Sequence, residues 1–347
     1  MMRAVSSTLV AVLAALPSLA AAQQTKTLTL QGSDVAVYDL VGELTVERGS
    51  GSSVQVEVRP GGKDAGKLTV ESTSIRGRPA IRVNFPEDHI VYPAIGRHSN
   101  SNFSINDDGT WGDDGRHSRK ISVRGYGDGL EAHADITVRV PDGQRIAVFL
   151  GVGKIQASNV NGDISLDAAS GDIRMTSVGG QLHVDTGSGN VEATTATGAL
   201  NIDTGSGDVR VTTFKGTVLD IETGSGNVDG SQIESPRLDI ETGSGNITVA
   251  SAKATDLELN AGSGDVDVTL ETDVNSLDAE TGSGNVTLRI PEAVGAELSL
   301  ETGSGDFQVD FPVQLIRKEE GKLIAKMGDG QGRIDIETGS GDVTLRR

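Results

Sequence analysis

A chain of 347 residues with 49 Asp and Glu against 30 Lys and Arg carries a formal net charge of −19 at pH 7. That balance argues against nucleic acid, whose binders present basic patches, and against an anionic membrane surface, leaving divalent cations, basic partners or neutral sugars open. Cysteine is absent, which removes disulfides and thiol chemistry, and aromatics make up 3% of residues beside 46 glycines, too few for a core built on bulky rings.

In chain order, residues 1–22 read as a secretory signal. Arg3 opens it, an apolar run follows over 9–19, broken by Pro17 and Ser18, and Ala20, Ala21 and Ala22 precede Gln23. The run is too short to span a bilayer, and no later stretch approaches the roughly 18 apolar residues needed. The expectation is an exported protein, periplasmic, surface or extracellular, with no transmembrane segment.

Residues 23–145 alternate apolar and polar side chains over 27–30, 35–37, 42–46, 54–58, 67–71, 80–83 and 136–140, the period of strands with one buried face. No repeat is visible there, so this part reads as a β-rich cap, since the open end of a stacked fold needs sealing. Within it, 93–129 is a polar insertion expected to be a mobile loop. It gathers His98, Asp107, Asp108, Trp111, Asp113 and His117, a candidate partner-binding loop.

From 146 onward the chain repeats itself. The words DTGSGN, DTGSGD, ETGSGN, ETGSGN, NAGSGD, ETGSGN, ETGSGD and ETGSGD end at Asn190, Asp208, Asn227, Asn246, Asp265, Asn285, Asp306 and Asp342, and the first seven are spaced 18, 19, 19, 19, 20 and 21 residues apart. Self-similarity at such a period marks stacked rungs. One copy shows the rung: Leu238 and Ile240 alternate with Asp239 and Glu241, Gly243-Ser244-Gly245 turns the chain, and Ile247 and Val249 resume the inward face. A looser turn closes each rung. The fold class is therefore all-β, a parallel β-helix or β-solenoid with two short strands per rung of 18–21 residues, over 146–347. A charged hairpin insertion is expected over 312–332. The last rung, 333–345, with Arg346 and Arg347 beyond it, is then expected at the exposed end, where charge would blunt pairing with another chain.

Three phrases together point further: 39–46 (DLVGELTV), 136–143 (ITVRVPDG) and the SGDV and SGNV words after them. The sequence resembles the DUF4097 family of exported β-strand-repeat proteins, adhesin-like by description, and is similar to the related head domain of autotransporter adhesins. The resemblance implies a β-helix-like fold and an envelope location, and it supplies no catalytic residues.

No residue set points to catalysis, and the expectation is a protein that is not an enzyme. GGKDAGK at 61–67 lacks the Ser or Thr and the helix of a phosphate loop and reads as a hairpin turn. His89, His98, His117, His133 and His183 lack metal-ligand spacing. No cofactor is expected. Calcium enters through Asp208, Asp265, Asp306 and Asp342 at the ends of their words, but the nonapeptide of calcium-binding rolls is absent. The interchange of Asp and Asn there assigns the side-chain oxygen to turn structure. Asp185, Asp203, Glu222, Glu241, Glu280, Glu301 and Glu337 should stack on one outer face. The expected function is a non-catalytic envelope or surface protein that binds a protein or glycan partner. Two alternatives are a scaffold for an envelope complex and a polysaccharide-active β-helix enzyme, the latter disfavoured because Arg174, Arg210 and Arg289 are scattered over different strand positions.

Overall fold

A computed structural model of the protein describes residues 25–106 and 118–347. Among them there is no α-helix, and two single turns of 3₁₀-helix, Ala65–Lys67 and Pro93–Ile95, interrupt an otherwise all-β chain.

The rung follows from the alternation. In the strand Phe214–Thr223, Leu219, Ile221 and Thr223 face inward and Asp220 and Glu222 outward. The corner after it needs glycine twice over. Gly226 has φ +151°, and a Cβ placed on it would lie 2.0 Å from the carbonyl oxygen of Gly207 in the rung below. Any larger residue would push the rungs apart. Beyond the corner, Val228–Gly230 forms a second face.

Stacking is parallel and in register. Val35, Ile146, Ile164, Leu182, Leu200, Leu219, Leu238, Leu257 and Leu277 form one inward column, each the partner of the next. All are at most 5% exposed, so each contributes on the order of 1.5–3 kcal/mol of apolar burial.

Two strands per rung proves incomplete. In the middle of the stack a third short face appears, where 196–198 pairs with 214–216, then with Ile233–Glu234, then with 252–253. The corner leading into it carries Asn159, Ser177, Thr195 and Gln232 at φ between 53 and 70°. The looser turn therefore folds into a third side.

At the N-terminal end, Asp34–Arg48 lies directly in the ladder, residue for residue with Arg145–Ser158. His133–Val140 pairs parallel beneath its second half, followed by Val54–Gly61 and Lys26–Leu30, both antiparallel. The 61–67 segment is not a hairpin turn. It links Val54–Gly61 to Thr69–Ile75, and the latter pairs with Arg78–Asn84 instead.

The described flanks of the expected mobile loop, 93–106 and 118–129, contribute strands instead. His89–Val91, Asn100–Ile105 and Arg119–Arg124 form a separate three-stranded sheet, and Ile105, Ile121 and Val123 are buried in the common core. A few apolar residues spaced two apart within a polar stretch were enough to seat it.

The C-terminal end holds the largest departure. Gly332–Thr338 pairs on one side with Ser276–Thr281 and on the other with Ala296–Thr302. Val343–Arg346 likewise lies between Val286–Arg289 and Phe307–Val309. The final rung in sequence is thus the penultimate one in space. The chain leaves one rung height open, builds the rung beyond it, turns through the hairpin Gln314–Glu319 and Lys322–Met327, and returns to fill the gap. The hairpin caps the stack by pairing antiparallel with Ala296–Thr302.

Candidate functional site

The GSG corners line one edge of the stack, and the residue after each corner ties it to the next. The Asn190 amide donates to Oδ1 of Asp172 at 3.0 Å, the Asp208 amide to Asn190 at 2.9 Å, and the Asn227 amide to Asp208 at 2.8 Å. The relay continues through Asn246, Asp265, Asn285 and Asp342 to the Asp306 amide. Either Asp or Asn supplies the required oxygen, which is why the sequence exchanges them.

The calcium candidates Asp208, Asp265 and Asp342 thus spend Oδ1 on a neighbouring amide, while Asp306 ends the relay. They stand one per rung, and no three His, Asp or Glu among the described residues cluster to share a metal ion.

A second relay runs inside the corner. The hydroxyls of Thr186, Thr204, Thr223, Thr242, Thr281, Thr302 and Thr338 donate to the carbonyl of the second glycine of the neighbouring rung, at 2.9 to 3.4 Å. These threonines are buried. Sequence reading left them unassigned, although alternation from Leu238 and Ile240 places Thr242 inward.

The oxygen relay starts below the repeats, where Oδ1 of Asp135 accepts the Glu43 amide at 3.2 Å. Two positions then interrupt it, Glu43 and its register partner Lys154, before it resumes at Asp172. At this interruption the three-stranded sheet meets the corner edge and leaves a groove of about 330 Å³. Glu43, Lys154, Asp172, Ser170 and Ser188 line the stack side, with Tyr92, Ile95 and 99–101 opposite. Lys154 is exposed and forms no ion pair among the described residues, though acids flank it in the column. Tyr92 is buried beside His133, ring centroids 5.3 Å apart. Burial first, then the charges of Asp135, Glu43 and Asp39, push its hydroxyl up to about 12. Among the described residues the groove therefore offers one ammonium without an ion pair, two carboxylates and several hydroxyls, a mixed set of donors and acceptors.

Next to the groove, the turn leading into the small sheet's strand Asn100–Ile105 carries His98, which is exposed, and Arg97, whose guanidinium sits 4.7 Å from the ring of Tyr126. Tyr126 is 67% exposed in a chain with few aromatics, and the sequence reading passed over it. Asp107, Asp108, Trp111, Asp113 and His117 lie outside the described residues.

The outer acid column stacks as expected. Asp185, Asp203, Glu222 and Glu241 are consecutive partners, Asn260 interrupts them, and Glu280, Glu337 and Glu301 follow in that spatial order. Asp203, then burial, then Glu241 raise the pKa of Glu222, and burial ahead of Asp203 raises that of Asp185. A second acid column, Asp220, Asp239, Glu258, Asp278 and Asp335, runs beside it.

The basic residues are less scattered than their spacing implied. Gln156, Arg174, Glu192, Arg210 and Asp229 form one column on the second face. Arg174 pairs with Glu192 at 2.8 Å and Arg210 with Asp229 at 2.9 Å, while Arg289, two positions further along its strand, pairs with Asp267. These guanidiniums neutralise neighbouring rungs and do not converge on a reacting position.

A family model described as Toastrack DUF4097 matches residues 120–346. Similar solved structures include a putative cell adhesion protein from Clostridium sporogenes, 11% identical, covering 93% of this chain and 98% of that one with a TM-score of 0.22. Another is a putative adhesin from Bacteroides fragilis, also 11% identical, with coverages of 93% and 97% and a TM-score of 0.38. A third, from Parabacteroides distasonis, is 10% identical, with coverages of 92% and 97% and a TM-score of 0.30. No curated protein matches the chain.

Proposed function

From the premise that this chain belongs to the DUF4097 (Toastrack) family, we propose that it is a non-catalytic exported protein that binds a neutral glycan at the cell envelope or surface. The observation that carries the reading is the groove at the break in the oxygen relay, where Lys154 stands between Glu43 and Asp172 with no ion pair among the described residues. Sugar hydroxyls both donate and accept, so they match an ammonium set among carboxylates and serine hydroxyls better than a polyanion would. The adhesion named for similar structures is consistent with this reading. Export rests on the first 22 residues. No helix among the described residues is long and apolar enough to cross a membrane. The arginines weighed for polysaccharide cleavage, Arg174, Arg210 and Arg289, are each committed to a carboxylate, and none of them lines the groove.

The test is a glycan array probed with the mature chain, its Lys154→Ala variant and an Arg210→Ala control three rungs along the stack, outside the groove lining. Lys154→Ala is expected to weaken binding by about tenfold, the loss of one charged hydrogen-bonding contact, while Arg210→Ala leaves it unchanged. Equal weakening by both variants, or no binding by the parent chain to any neutral glycan, overturns the proposal.

A further inference from the structure

The inward corner position that holds threonine through most of the stack holds a carboxylic acid at its base. Asp39 is in register with Leu150, and the column continues through Ala168, Thr186 and Thr204. Asp39 is 1% exposed, and among the described residues neither carboxylate oxygen has a partner of good hydrogen-bond geometry. The Leu40 and Val41 amides face it and favour its ionised form, but burial outweighs them and holds its pKa well above the ordinary Asp value.

What lies beneath Asp39 is the same acceptor that serves the threonines. A Cβ on Gly171 would meet the carbonyl oxygen of Gly153 at 1.7 Å, and one on Gly153 would meet that of Gly42 at 1.8 Å. One on Gly42 would meet the Ala134 carbonyl oxygen at 1.8 Å, with Oδ2 of Asp39 3.1 Å from the same point. Ala134 thus stands one rung below Gly42, as Gly171 stands below Gly189, and Thr186 donates to Gly171. Across the antiparallel pair, Ala134 faces Pro60, which has no N–H to offer it.

We propose that Asp39 acts as a protonated carboxyl in place of the column's threonine hydroxyl, donating to the Ala134 carbonyl, so that the joint between the N-terminal strands and the stack tightens in acid and loosens in base. A carboxylate cannot donate, and once ionised it would face that carbonyl oxygen from a position only 1% exposed to solvent. The surrounding groups do not offset this. Asp135 on the strand below and Glu43 on the same strand are acids. Tyr92 and His133 lie beyond them, and Lys154 reaches into the groove. Arg82 and Arg119 line the cavity on the other side of Asp39, paired with Glu71 and Asp88. Because Glu43, Lys154 and Tyr92 border the groove, loosening this joint would also disturb it.

Folded Asp39 holds its proton where the unfolded chain has released it. Stability is therefore full below the unfolded value and is lost as pH rises through the folded one, by up to about tenfold in the folding constant per pH unit in that window. The experiment is denaturation of the full mature chain across pH 4–9, with Asp39→Thr and Asp39→Asn beside the parent, together with the pH titration of the Asp39 carboxyl carbon by NMR in the parent. The proposal expects a parent-minus-variant difference that falls as pH rises, and a carboxyl titrating above the ordinary range. A flat difference, a rising one, or a carboxyl titrating normally overturns it. Stabilisation of the parent but not of Asp39→Thr by added sodium, calcium or ammonium at high pH also overturns it, because the carboxylate would then be holding a cation. If neither variant folds, the parent's NMR titration decides alone.

Discussion

At the scale of single residues, the rung is held by groups whose identity follows from one direction of donation. The corner Asx residue must accept, so Asp and Asn are equivalent and Lys154 and Glu43 break the chain of acceptors. The corner threonine must donate, so its hydroxyl cannot be replaced by shape alone. Thr242→Val keeps the volume and leaves the Gly226 carbonyl without the hydroxyl 3.0 Å away. Thermal or denaturant unfolding should show a loss of about 1 kcal/mol, and an unchanged midpoint would show that the hydroxyl is dispensable. The Asx role was legible in sequence because two residue types alternate at one position. The threonine role was harder to see, since Thr is ordinary on exposed strands and nothing local marks it as buried. Asp39 was invisible for the same reason: it precedes the first repeat, and its place in the column exists only after stacking.

At the scale of elements, one face of the stack concentrates acids, of which Asp239, Asp335 and Glu301 are paired, and another face pairs its charges rung by rung. Within the acid columns, adjacent strands are about 4.8 Å apart, and like charges at directly neighbouring positions destabilise. The column has relief at both ends. Its base is the stacked pair Tyr38 and Phe149, centroids 4.5 Å apart, and at its far end the hairpin lysine Lys322 bonds Glu301. Glu222 has its pKa raised above the usual 4.5, chiefly by Asp203, so its share of stability is complete in acid and is lost as pH climbs through the folded value. Glu222→Gln should therefore raise stability at pH 7 by less than about 1 kcal/mol, an exposed and screened effect, with no gain at pH 4. Unfolding curves at both pH values check this, and a variant less stable at pH 7 would contradict it. The acid column could be read from sequence because period-2 alternation fixes which residues face outward. The insertion sheet could not, because its strands are short and separated by polar residues, and their apolar partners lie in distant segments.

For the whole molecule, near-identical corner words specify a rung without specifying its place. Every ETGSG segment offers the same threonine, glycines and acceptor, so any rung can stack on any other, and the sequence period alone carries no order. Order is set by connections. The segment 290–295 carries the chain past an empty rung height, and the hairpin, with Lys322 opposite Glu301 and Lys326 opposite Glu297, turns it back. The C-terminal strands then close the stack from within, leaving the hairpin strand Gln314–Glu319 at the end with Leu315 and Ile316 exposed. Stacking of 296–327 should accordingly wait on 332–346, which fill the gap beneath it.

Because the protein has no cysteine, paired substitutions report rung order against a silent background. Thr287, Thr344 and Gln308 face outward in one column, with Thr344 in the middle. Oxidation should crosslink Thr287→Cys with Thr344→Cys, and Thr344→Cys with Gln308→Cys, and should leave Thr287→Cys with Gln308→Cys reduced, two rungs being too far for a disulfide. Efficient crosslinking of the 287 and 308 pair, with none between 287 and 344, would mean that the rungs follow chain order and would contradict the stack described here.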